Sequence, residues 1–138
     1  MEPEKTHLMY MCESGNLEEV KVLLKNNVGI NNQDNLGKTA LMYASEFGHI
    51  NIVQLLLKYN ANANIRDFQN NTALIYGSLN GNTIVVRLLL KNTIGINIRN
   101  FNDETALSLA IKNNFSEIIA LLLEKGAKNG FNLQCLPK

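Results

Sequence analysis

The sequence predicts an all-α fold, a solenoid of four stacked helix–turn–helix units with projecting loops. The triplet Thr-Ala-Leu recurs at intervals of 33 residues, beginning at Thr39, Thr72 and Thr105, and Thr6 lies one interval earlier. Paired leucines recur in the same phase, at 23–24, 56–57, 89–90 and 122–123. A constant period of this length is typical of repeat proteins, in which each unit packs only against its neighbours.

The unbroken phase also predicts the domain organisation. We expect a single domain over residues 1–138, with units at about 1–33, 34–66, 67–99 and 100–132 and then a short C-terminal tail. Phe131, Leu133 and Leu136 in this tail are predicted to cover the exposed end of the stack.

Each unit is predicted to contain two short amphipathic helices. Thr39 is a preferred N-cap residue and is predicted to start the first helix of its unit. This helix is predicted to stop at Gly48, where the other units have Gly, Gly and Asn, because a left-handed terminating residue favours Gly or Asn. The apolar residues between Ile52 and Leu57 predict the second helix.

The segments between units are polar and rich in residues that tolerate turns. They are predicted to form hairpin-like loops whose sharpest turn falls at Gly37, Asn70 and Asp103, residues that accept a positive φ. The position that ends the second helix is Asn in the first two units but Thr93 in the third. Backbone strain is therefore predicted where the third unit joins the fourth.

This pattern resembles the ankyrin repeat. The residues that carry the resemblance are clearest in the second unit: Asp34–Leu41, then Ala44, Gly48, His49, Val53, Leu56, Leu57 and Ala61. The similarity extends from residue 6 to about residue 132. It implies stacked helix–turn–helix units with β-turn loops, a structural role for His49, and the binding of a protein partner.

The chain departs from the family pattern at two positions of each unit. Alanine stands where the family usually has proline, at Ala40, Ala73 and Ala106, and the usual histidine is replaced by Met42, Ile75 and Ser108. These changes lose a helix start fixed by proline and a side-chain hydrogen bond, so they bear on stability more than on fold.

Charge and composition argue against several classes of function. The net charge of +1 comes from 13 basic and 12 acidic side chains spread along the chain, which predicts no basic face for nucleic acid. The N-terminus lacks the pattern of a signal peptide, and no apolar stretch reaches the roughly 18 residues of a membrane helix. We expect a cytoplasmic monomer with reduced Cys12 and Cys135, although secretion without a cleaved signal stays open.

Few residues are suited to catalysis or metal binding. The chain has two histidines and two cysteines, without the short spacings of a zinc site. The glycines follow the repeat and form no phosphate-binding loop, and the adjacent carboxylates of Asp103 and Glu104 point in different directions. We therefore expect no enzymatic activity, no cofactor, no metal and no small-molecule substrate.

The resemblance implies that a partner binds the loop tips and the concave face of the first helices. Phe68 and Phe101 occupy the same tip position in successive units, and Phe47 ends a nearby helix, so an apolar patch rimmed by Arg66 and Arg99 is predicted. The alternative is that each Phe folds back onto its own loop. The predicted partner-binding residues are Asn35, Leu36, Lys38, Arg66, Phe68, Gln69, Asn71, Arg99, Phe101, Asn102 and Glu104 on the loops, with Glu46, Phe47, Leu79, Asn80, Lys112 and Asn113 at the helix ends.

The role implied by the resemblance is that of an adaptor, a scaffold or a stoichiometric inhibitor. One alternative is a targeting segment of a larger multidomain protein whose activity lies in other domains. An alternative of a different class is an enzyme or metal-binding protein with a site in the groove. A phased column of Tyr10, Tyr43 and Tyr76 is interpreted either as packing between units or as an aromatic stripe offered to a partner.

Overall fold

The computed structural model describes residues 4–128, in which every regular element is an α-helix. The helices are α1 (His7–Ser14), α2 (Leu17–Lys25), α3 (Ala40–Glu46), α4 (Ile50–Lys58), α5 (Ala73–Leu79), α6 (Thr83–Leu90), α7 (Ala106–Lys112) and α8 (Ser116–Glu124). The first helices α1, α3, α5 and α7 pack against one another in chain order, and the second helices form a row beside them. The predicted all-helical solenoid is confirmed.

Threonine side chains start the four first helices, as predicted. The hydroxyls of Thr6, Thr39, Thr72 and Thr105 each accept a hydrogen bond from the backbone N–H three residues later, at 3.0–3.3 Å. Each bond satisfies one of the donors left open at a helix N-terminus. This need explains why threonine recurs with the period of the fold.

The predicted left-handed positions are also confirmed. Gly15, Gly48, Gly81 and Asn114 follow the first helices with φ between 58° and 82°. The loop turns at Gly37, Asn70 and Asp103 have φ between 61° and 79°. At Gly48 a side chain is excluded twice, since φ is positive and an added Cβ would lie 2.8 Å from the side chain of Asn82.

Side chains at the start of the second helices tie each unit to the one before it. His49 Nε2 donates to the backbone carbonyl of Glu13 at 2.9 Å, and the amide of Asn82 donates to the carbonyl of Ser45 at 2.8 Å. Both acceptors lie near the C-terminal end of the preceding first helix, where carbonyls lack helical partners. The structural role predicted for His49 is confirmed.

A second ladder of hydrogen bonds runs through asparagines of the loops. Asn31 Oδ1 accepts from the backbone of Asn62, and Asn97 Oδ1 accepts from the backbone of Lys128, both at 2.8 Å. Asn64 makes the corresponding bond at 2.8 Å to Ile94, one residue earlier than the repeat requires. The irregular member of this ladder points to the segment around Thr93.

The strained backbone predicted at Thr93 is wrong. Asn27 and Asn60 have positive φ at this position, whereas Thr93 does not, because a β-branched residue is disfavoured in the left-handed region. The Thr93 hydroxyl instead donates to the carbonyl of Leu89 at 2.7 Å, and α6 has eight residues where α2, α4 and α8 have nine. The misfit is absorbed by a shortened helix.

Replacing Thr93 with asparagine is expected to raise the free energy of unfolding by about 0.5–1 kcal/mol, because asparagine can adopt the left-handed conformation of Asn27 and Asn60. Urea unfolding followed by circular dichroism measures the change. Thr93→Val is the matched control, since it keeps the shape of threonine but loses the bond to Leu89, and it is expected to destabilise. An asparagine variant no more stable than the wild type would contradict this explanation.

Candidate functional site

One side chain holds each projecting loop. Asp67 Oδ1 accepts hydrogen bonds from the backbone N–H groups of Gln69 and Asn71 at 2.9 and 2.8 Å. Asp34 and Asn100 hold the preceding and following loops in the same way. Asp and Asn are suited to this task because their short side chains reach backbone donors two to four residues ahead.

Successive loop tips are joined by backbone hydrogen bonds. The N–H of Phe68 donates to the carbonyl of Leu36, and the N–H of Phe101 donates to the carbonyl of Gln69, both at 3.0 Å. The side-chain amide of Asn70 adds a 2.7 Å bond to the carbonyl of Arg99. The three tips therefore form a connected edge.

This edge carries exposed apolar side chains. Leu36, Phe68 and Phe101, which we call the tip patch, are 56%, 60% and 76% exposed. The ring of Phe68 lies against Gly37 of the preceding loop, where an added Cβ would approach it to 2.6 Å. Phe68 thus leans on the neighbouring unit and not on its own loop, with most of its surface left accessible.

A cavity of about 270 Å³ opens beside the tip patch. Its lining combines two residues of the tip patch with polar groups of the loops and first helices: Asn35, Leu36, Lys38, Glu46, Asp67, Phe68, Gln69 and Tyr76. Apolar walls with a few fixed polar groups are typical of binding pockets. The cavity is suited to an apolar side chain presented by a partner.

Alternating tyrosines and lysines form the floor of the concave face, which we call the tyrosine–lysine stack. The Lys38 ammonium lies 4.2 Å from the ring centre of Tyr43 and 4.5 Å from that of Tyr76. Lys5 lies in the same way between Tyr10 and Tyr43, at 4.8 and 4.2 Å. A cation over an aromatic face is attracted by the ring quadrupole. Neighbouring units are thereby joined through charge as well as through apolar contact.

Carboxylates complete this network. Lys38 pairs with Glu46 at 2.6 Å, and Lys5 pairs with Glu13. The Tyr43 hydroxyl donates to Asp34 at 2.5 Å, and the equivalent hydroxyl of the next unit donates to its own loop aspartate. Each inner charge therefore has a partner of opposite sign or a hydrogen bond, as buried charges require.

The network shifts the pKa of several groups. Burial, followed by the hydrogen bond to Asp34, raises the pKa of Tyr43, and the pKa of Tyr76 is raised by burial and by Asp67. Burial and the nearby charge of Lys38 lower the pKa of Lys5. These directions favour neutral phenols in the folded protein, so the tyrosines act as hydrogen-bond donors and not as bases.

The predicted partner-binding residues fall into three groups. Most are exposed: Asn35, Leu36, Phe47, Arg66, Phe68, Gln69, Leu79, Asn80, Arg99, Phe101, Asn102, Lys112 and Asn113. Glu46 and Glu104 are half-buried. Lys38 and Asn71 are buried, because Lys38 inserts between two tyrosines and Asn71 lies against Asp67 and Asn100, so these two lie beneath the surface where they were expected on it.

The arginines and Phe47 differ in their surroundings. Arg99 pairs with Asp103 of its own loop at 2.9 Å, and Arg66 is exposed. Phe47 follows the last turn of α3 and stacks on His49, with ring centres 6.5 Å apart. Phe47 does not line the cavity that contains Leu36 and Phe68.

Sequence reasoning missed the network beneath the tip patch. Lys5, Asp34 and Asp67 were not singled out, although Lys5 and Lys38 are 33 residues apart, as are Asp34 and Asp67. The Tyr43 and Tyr76 side chains lie inward and pack between units, whereas Tyr10 is half exposed at the first unit. Equal spacing of opposite charges and tyrosines was the signal available.

Residues 4–128 contain no group of three or more His, Cys, Asp or Glu side chains arranged to hold a metal ion. Burial raises the pKa of the Cys12 thiol to about 12. Cys135 lies outside the described residues. Within the described part of the chain, no helix is both long and apolar enough to cross a bilayer.

Stacked helix pairs with hydrogen-bonded loop tips define a solenoid repeat protein. A family model for ankyrin repeats, described as three copies, matches residues 2–67 and 64–132. The chain belongs to the ankyrin repeat family, whose members are generally protein–protein interaction modules. A comparison with curated proteins gives no match.

Proposed function

We propose that this chain binds a protein partner through the tip patch and the adjoining concave face, as an adaptor, scaffold or stoichiometric inhibitor. The observation that supports this most directly is the exposure of Leu36, Phe68 and Phe101 on consecutive loops. Isolated exposed apolar residues are ordinary in proteins, but three on one connected edge are a feature of interaction sites.

The loops favour binding because they are already ordered. Backbone bonds between tips and the loop aspartates fix Phe68 in place before any partner arrives. A partner therefore meets a preformed surface, and little conformational entropy is lost on association. Affinity then depends on a few aromatic anchors, the residues that most often dominate interface energetics.

The double substitution Phe68→Ala and Phe101→Ala is expected to abolish capture of the natural partner. Loss of two aromatic anchors at an interface costs about 2 kcal/mol or more for each. Helical content and melting temperature are expected to stay close to those of the wild type, because both rings are mostly exposed. A pull-down analysed by mass spectrometry identifies the partner, and titration with the purified partner measures affinity.

Val22→Ala combined with Ile84→Ala is the matched control. These residues are 51% and 47% exposed but lie on the second helices α2 and α6, away from the loop tips. The control is expected to bind the partner as the wild type does. Equal binding by the phenylalanine variant and the wild type would rule out the tip patch as the site.

A further inference from the structure

The first unit closes the N-terminal end of the solenoid with polar residues. His7 and Glu19 are 3.4 Å apart between Nε2 and Oε1. The equivalent residues of later units are buried and apolar: Ala40, Ala73 and Ala106 for His7, and Ile52, Val85 and Ile118 for Glu19. A terminal repeat needs such polar replacements because no neighbour covers its outer side.

The fourth unit has no comparable replacement at its outer side. Ile111 is 38% exposed, although Cys12, Ser45 and Ser78 at the same position are fully buried. Leu123 is 39% exposed, against 7% for Leu90. Ile119 is half-buried where Val20, Val53 and Val86 are fully buried. We call Ile111, Ile119 and Leu123 the C-terminal face.

The size of Ile111 shows what this face does not suit. In earlier units the position is Cys or Ser, and its burial depends on close approach of the next helix pair. An isoleucine there would overpack a further unit stacked at the same spacing, at a cost of about 1–3 kcal/mol. The cover must therefore have a geometry different from that of an ankyrin unit.

We propose that residues 129–138 cover the C-terminal face through Phe131, Leu133 and Leu136. These residues lie outside the part of the chain that the structure describes, and the proposal rests on their sequence and on the surface beside them. Their composition supplies three large apolar side chains within six positions. Apolar area on both partners would leave water on contact.

The same residues lack the chemistry of a further loop. Leu133 occupies the position of Asp34, Asp67 and Asn100, which accept the turn's backbone bonds. Pro137 occupies the position of Lys38, Asn71 and Glu104, whose N–H groups donate those bonds. Proline has no such donor and leucine no such acceptor.

The chain leaves the fourth unit in a position to reach the face. Ala127 is buried and the N–H of Lys128 is bonded to Asn97, so the start of the segment is fixed at the end of α8. Ten extended residues span up to about 33–36 Å, and a nine-residue helix is only about 13 Å long. The segment is long enough to cross α8 and return to α7.

Disulfide trapping in the full chain tests this proposal, with Cys135 as the native probe. We expect Ile111→Cys, treated with diamide, to form an intramolecular disulfide with Cys135 in the monomer. Peptide mapping would identify the pair, and Cys12 stays unreacted because it is fully buried. Val22→Cys, at a more exposed site in the first unit, is the control. We expect coupling at residue 111 to be at least ~10-fold faster, because tethering raises the effective thiol concentration.

Equal coupling rates at residues 111 and 22 would overturn the proposal. Disulfide-linked dimers of the Ile111→Cys variant as the main product would also overturn it, since a second copy of the chain would then occupy the face.

A second measurement does not depend on cysteine reactivity. Phe131→Ser with Leu133→Ser is expected to lower the Tm by about 5 °C and to speed backbone amide exchange in α8. Gln134→Ser alters the same segment without removing an apolar side chain and is expected to leave both unchanged. A double variant that matches the wild type in both measurements would show that these side chains cover nothing.

Discussion

Replacing Leu74 with alanine is expected to lower the free energy of unfolding by about 2–5 kcal/mol. Leu74 is fully buried in α5, which packs between α3 and α7. The substitution removes contacts within the third unit and at its borders, and rigid neighbours on both sides limit collapse of the cavity. Because each unit depends on its neighbours, the loss is expected to affect the whole stack.

Urea unfolding followed by circular dichroism measures this loss. Leu79→Ala is the matched control, because it removes the same atoms from the end of the same helix, where the side chain is 40% exposed. The control is expected to change stability by only about 0.5 kcal/mol. Similar losses for the two variants would show that Leu74 is not the core position assigned to it.

Features that depend on one residue type at one backbone position could be predicted from sequence. A threonine at the start of each first helix has one main role there, since its hydroxyl reaches the N–H three residues later. A left-handed backbone likewise selects Gly, Asn or Asp, and Gly48, Asn70 and Asp103 all adopt it. Local chemistry and the period of 33 residues together were sufficient for the fold.

The direction of loop side chains could not be predicted in the same way. Lys38 and Asn71 were expected at the surface because lysine and asparagine are usually exposed. Lys38 is buried because the tyrosine of the next unit lies within 4.5 Å of its ammonium, a distance set by the spacing between units. Thr93 was recognised as a misfit, but the shortening of α6 that relieves it depends on a bond to Leu89.

Replacing Asp67 with alanine is expected to lower the free energy of unfolding by about 3 kcal/mol, since an unsatisfied buried polar group costs about 1–3 kcal/mol. Asp67 is buried and accepts bonds from the backbones of Gln69 and Asn71 and from the hydroxyl of Tyr76. Alanine leaves all three donors without this acceptor. Urea unfolding gives the change, and near-ultraviolet circular dichroism reports the environment of Tyr76.

Asp67→Asn separates the loop from the tyrosine. Asn100 holds the next loop through its Oδ1 atom, so asparagine at residue 67 can keep both backbone bonds while its amide replaces the oxygen that faces Tyr76. We expect the asparagine variant to lose about 1 kcal/mol. Equal losses in the two variants would place the whole effect on the tyrosine bond and none on the loop.

The same pair of variants connects the loop to the proposed binding role. Phe68 follows Asp67 directly, and its backbone position depends on the turn that Asp67 holds. If the tip patch binds the partner, Asp67→Ala is expected to weaken binding although residue 67 is buried, because Phe68 would lose its fixed position. Asp67→Asn, which retains the turn, is expected to bind nearly as the wild type does. Unchanged binding by a folded Asp67→Ala variant would mean that a preformed loop contributes nothing to recognition.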